Sequence, residues 1–109
     1  MNKNLDEFIK SLDEQRFYDA HESIESIWFP RRFEDSDEMR LLKGFINASV
    51  SFELYKKGRI EPSKRVWKNY IKYRPLLYKI DSKYLNRYHY IARYIESIEK
   101  SIRKKDAKL

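Results

Sequence analysis

The chain of 109 residues has no cysteine, only two glycines and only three prolines. Without cysteine there is neither a disulfide framework nor a thiolate metal site. So little glycine and proline leaves few turn signals, which argues against a β-rich fold of many short strands. Long apolar runs are missing as well. No stretch approaches an uncharged membrane span, and Met1–Asp13 mixes charges into the positions that a signal peptide would keep apolar. These absences predict a soluble cytoplasmic protein with no membrane contact. The length suits one domain, residues 1–109, able to bury a core without staples.

What the sequence does contain is helical periodicity. Leu5, Phe8, Ile9 and Leu12 recur at helical spacing behind Asn4 and Glu7, which have the spacing of a capping box. A polar turn over Asp13–Arg16 leads to a second helix, Arg16 to Trp28 or Phe29, with Phe17, Ala20, His21, Ile24, Ile27 and Trp28 on its inner stripe. Pro30 ends it. The irregular stretch Phe29–Asp37 precedes a third helix, Glu38–Lys57, with Ser36 or Asp37 as its N-cap. Between Leu41 and Tyr55 only Lys43 and Glu53 are charged, and apolar residues fall on every side, so this helix is expected at the centre. Gly44, Ala48, Ser49 and Ser51 would let neighbours approach closely, and Gly58 would close the helix in the left-handed region. A fourth helix over Glu61–Tyr73 starts at Pro62. Leu76–Ile80 forms a short turn, and a last helix runs from Asp81 or Ser82 to about Lys104, with 102–109 expected to fray. The expected fold is all-α: a multihelical bundle of about five helices around a buried central helix.

The chemistry-bearing residues concentrate in FYDAHESIESIW, Phe17–Trp28. On a helix, His21, Ile24 and Trp28 share a face, Glu25 lies one turn beyond His21, and Glu22 points about 100° away from it. Ionisable groups on two apolar helices are expected to meet. His21, Glu22, Glu25, Lys43 and Glu53, with Trp28 and Asn47 beside them, form the candidate cluster between helices two and three. The favoured reading is a polar network that holds these helices in register, because an unpaired buried charge costs several kcal/mol. The alternative is a pocket of an enzyme or small-ligand binder, with Glu22 or Glu25 as base and Lys43 as anion anchor. His21 and Glu25 at i, i+4 can ligate one metal ion. With His89 the one other histidine, the donors fall short of four, so no metal and no cofactor is expected.

Phe17, Tyr18, Ala20, His21, Glu22, Glu25 and Trp28, then Leu42, Lys43, Gly44, Ile46, Asn47 and Val50, then Lys56, Lys57 and Gly58, make a combined pattern over Arg16–Arg59. This run resembles the family catalogued as domain of unknown function 309. The resemblance implies an all-α fold and no assigned biochemical function. It does not extend to the basic, tyrosine-rich C-terminal part.

Charge is divided unevenly. Residues 1–54 hold 7 Lys/Arg against 12 Asp/Glu, and residues 55–109 hold 17 against 5, for nets of −5 and +12. Lys64, Arg65, Lys68 and Lys72 form a candidate nucleic-acid face, interleaved in sequence with tyrosines that could stack on bases. A solvated helix face gives the same residues, and no helix-turn-helix, RNA-recognition or zinc-finger pattern accompanies them. The expected partner is therefore another protein or a second copy, with nucleic acid as the second alternative. Pairing of the acidic half with the basic half of a second copy would weaken with salt.

Overall fold

Phe45 is the axis of the molecule. In the computed structural model, which describes residues 1–107 and side chains to Lys104, its ring centroid lies 6.4 Å from Phe8, 6.4 Å from Tyr70 and 6.0 Å from Tyr88. Those rings come from three different helices. In order, the helices are α1 (Asn2–Asp13), α2 (Phe17–Trp28), α3 (Asp37–Lys56), α4 (Ile60–Tyr73) and α5 (Leu85–Ala107), with short 3-10 turns at Phe29–Arg31 and Arg74–Tyr78. There is no strand among the described residues, so the all-α expectation holds. Among the described residues, no helix is long and apolar enough to cross a membrane.

The central helix is the one whose apolar residues fall on every side. α3 buries Met39, Leu41, Leu42, Phe45, Ile46, Ala48 and Phe52. It is capped by Ser36, whose side chain accepts from Met39 N at 3.1 Å. It closes at Gly58, φ +80°, where Gly58 N donates to Tyr55 O (2.9 Å) and Arg59 N to Leu54 O (2.9 Å). The same closure ends α1 around Gln15, φ 59°, with no glycine to announce it. The expected cap at Asn4 does not form. Asn4 lies inside α1 and donates instead across to α2, to Ser26 Oγ (2.8 Å) and Ser23 O (3.3 Å).

α2 and α4 flank α3 and run antiparallel to it. The Phe17 ring lies tilted against Phe52 at 5.5 Å, and on the other side Ser51 and Ser63 exchange buried hydrogen bonds to each other's carbonyls at 2.8 and 2.7 Å. Gly44 sets how closely α4 approaches, because a Cβ there would lie 3.0 Å from Tyr73 Cβ. Alanine gains about 1 kcal/mol of helix propensity but presses on Tyr73. Gly44→Ala should therefore be near neutral, whereas Gly44→Val should lose about 1–3 kcal/mol by overpacking, read as the shift in thermal midpoint.

α5 closes the remaining side with Tyr88, Ile91, Ala92 and Ile95 buried. It is fastened by polar clamps: Tyr88 Oη and Ser82 Oγ both donate to Glu38 (2.5 and 2.7 Å), while Tyr70 Oη and Arg74 Nε both donate to Glu96 (2.8 and 2.7 Å). Helix continues to Ala107 through most of the segment expected to fray, and residues 108–109 at its end lie outside the described residues.

Candidate functional site: the outer face of helix α2

Helical spacing on α2 brings His21 and Glu25 together. His21 Nε2 and Glu25 Oε2 form an ion-pair contact one turn apart, with side chains 22% and 34% exposed. Glu22 joins them. One ligand atom from each of His21, Glu22 and Glu25 lies within 4.8 Å of the other two. Adjacent residues diverge by about 100° on a helix, but Glu22 is also three residues before Glu25, which puts that neighbour within reach of its long side chain. The structure therefore assembles three donors where spacing alone offers two.

Tyr18 completes the face and was not among the expected residues. It lies one turn before Glu22, and its ring meets the His21 ring edge-on at 6.0 Å. The Glu22 charge and hydrogen bond, with burial and then Glu53 and Glu25 adding to them, raise its phenol above the ordinary tyrosine range. The i, i+3 and i, i+4 relations of Tyr18 to His21 and Glu22 were in the sequence and would have found it.

The other expected members are elsewhere. Lys43 is exposed and forms no ion pair among the described residues. It borders a cleft with Trp28, Phe33, Met39 and Tyr73. Asn47 bridges α3 to α4, with Nδ2 on Lys43 O (2.7 Å) and Oδ1 accepting from Asn69 (3.2 Å). Glu53 pairs with Lys57 at 3.1 Å and lines an open cleft of about 520 Å³ with Phe17, Tyr18, Lys56 and Lys57. Trp28 is half-buried at the end of α2, on the Lys43 cleft. The five-residue network between α2 and α3 is thus not assembled. What exists is a His–Glu–Glu–Tyr face on α2 alone.

On α4, Lys64, Arg65, Lys68 and Lys72 are all exposed. Lys64 sits 3.7 Å from Glu61, and Lys72 lies over the Tyr73 ring at 5.3 Å. The tyrosines that alternate with them in sequence do not alternate with them on the surface. Tyr70 and Tyr88 are buried, Tyr73, Tyr84 and Tyr94 are half-buried, and the exposed Tyr78 and Tyr90 lie on the second 3-10 turn and on α5 rather than among these α4 residues.

The family model for a domain of unknown function, DUF309, matches residues 5–66, from α1 into α4. The chain belongs to the DUF309 family. Its α2 face lies inside the matched segment, whereas α5 lies outside it. No curated protein and no solved structure matches the chain. The family carries no assigned function, so the site must be argued from its own chemistry.

Proposed function

We propose that this DUF309 member is a small cytoplasmic binding protein whose α2 face holds a divalent transition-metal ion through His21, Glu22 and Glu25. The observation that carries this is the convergence of one imidazole and two carboxylates, donor atoms within 4.8 Å of one another. Two ligands of one zinc-like ion, at about 2.0–2.2 Å each, are at most about 4.4 Å apart. Small rotamer changes in partly exposed carboxylates close that gap. Nitrogen with carboxylate oxygen suits Zn²⁺, Mn²⁺ or Fe²⁺ better than Ca²⁺ or Mg²⁺, which favour all-oxygen shells. Three protein donors leave coordination positions for water or for a ligand group. The His21–Glu25 contact, made within one helix, gives α2 little hold on α3, which weakens the purely structural reading.

The test is calorimetric titration of tag-free protein with Zn²⁺ and with Mn²⁺, backed by elemental analysis. One saturable site is expected. His21→Ala and Glu22→Gln/Glu25→Gln should each weaken it by about tenfold or more, given that even outer-shell changes cost that much. His89→Ala should leave it unchanged. The thermal midpoint should move by no more than about 1 kcal/mol's worth in the glutamine variants, since a partly exposed pair within one helix contributes little. Absence of saturable binding, or binding that survives the ligand substitutions, sinks the proposal.

A further inference from the structure

The turn after α2 carries an exposed aromatic knob at the edge of an open cleft. Phe33 is 87% exposed and Phe29 50%. The Arg32 guanidinium lies over both rings, 3.7 Å from the Phe29 centroid and 4.5 Å from that of Phe33, and donates to Phe29 O at 2.6 Å. Stacking of this kind pre-orders a side chain that would otherwise lose freedom on docking. Phe33 and Arg32 themselves form part of the wall of a cleft of about 400 Å³ that also takes in Trp28, Met39, Lys43 and Tyr73. Aromatics, methionine and arginine are the residues that interface cores enrich.

Charge points to the occupant. The whole chain carries +7, yet residues 29–43 hold four basic and four acidic residues. Most are neutralised locally: Arg31 pairs with Glu34, Arg40 with Asp35 and Asp37, and Glu38 accepts from Ser82 and Tyr88. A polyanion or an anionic membrane would find its attraction spent against these carboxylates. Two copies of a cationic chain, by contrast, repel least where the surface is neutral. The same patch holds both a knob and a hole, which is the self-complementarity a two-fold interface requires.

We infer that this patch is a homodimer contact, in which Phe33 of each copy seats in the Trp28–Tyr73 cleft of the other. Sedimentation velocity or light scattering on the full chain, from micromolar to near-millimolar protein, should show a species of twice the 13.5 kDa chain mass. Phe33→Ser should raise the dissociation constant about tenfold or more, as removal of a central aromatic anchor does, and leave the thermal midpoint unchanged. Tyr90→Ser, an exposed aromatic on α5 away from the patch, should leave dimerisation intact. Raising salt from about 0.01 M to 1 M shortens the screening length from about 30 Å to 3 Å. Repulsion between the copies then falls and the dimer should tighten. A chain monomeric throughout, or a Phe33→Ser variant that dimerises equally well, overturns the inference. So does a dimer that dissociates with salt, which would instead favour pairing of the acidic half with the basic half.

Discussion

Replacing Phe45 with alanine should remove about 3–5 kcal/mol of stability, the range for deleting a buried aromatic ring. A chain of this size holds about 5–15 kcal/mol in all. The thermal midpoint should therefore fall by about 12–40 °C, at roughly 4–8 °C per kcal/mol. The high value is expected here because the cavity cannot close. Phe8, Tyr70 and Tyr88 line the Phe45 ring from α1, α4 and α5, and each is held by its own helix. Tyr70 and Tyr88 are further fixed through hydroxyls bonded to Glu96 and Glu38. Phe45→Leu keeps most of the volume and should lose less than half as much. Phe33→Ala, at an 87% exposed ring, should stay within about 0.5 kcal/mol. Melting curves followed by circular dichroism measure all three. A Phe45→Ala loss close to that of Phe33→Ala would mean that the core is not centred on this ring.

The central role of α3 was legible because its apolar residues left no face free for water, and the structure buries that helix. The error with Lys43 came from the same observation. On a helix apolar nearly all round, a single lysine suggests a buried charge in need of a partner. Yet Arg40, Lys43, Asn47, Val50 and Leu54 recur at alternating steps of three and four, a narrow outward stripe, and none of the five is fully buried. A lone lysine on such a stripe reaches water and needs no carboxylate. Gln15 escaped notice for a different reason. It takes a left-handed conformation without the glycine that normally marks one, held by the Arg16 N to Ser11 O bond at 2.8 Å and by Lys56 Nζ on Gln15 O at 3.0 Å. The α2 site was half legible. Spacing gave His21 with Glu25, but the return of Glu22 depends on a rotamer, which periodicity does not encode. The Tyr88–Glu38 clamp joins residues 50 apart, and no local pattern carries that information.

Those clamps make the protein sensitive to alkali. Tyr70 and Tyr88 are fully buried, and each hydroxyl donates to a carboxylate. Burial first, and then the neighbouring Glu96 or Glu38, pushes both phenols far above their ordinary range. Tyr94, less buried and bonded to Asp13, is pushed up to about 12. A raised folded value means that the folded chain keeps protons which the unfolded chain, titrating near the ordinary value of about 10, has already released. The stability this represents is fully present below pH of about 10 and is lost as pH rises above it. Two buried tyrosines give a slope of up to about 2.7 kcal/mol per pH unit. Thermal midpoints should hold steady to about pH 10 and then drop steeply, with part of the tyrosinate absorbance appearing only as the fold is lost. Tyr70→Phe/Tyr88→Phe should flatten the slope while costing about 1 kcal/mol per lost hydrogen bond at neutral pH, because Arg74 and Ser82 still serve Glu96 and Glu38. An unchanged slope in that double variant would show that the alkaline limit is set by groups other than the two clamps.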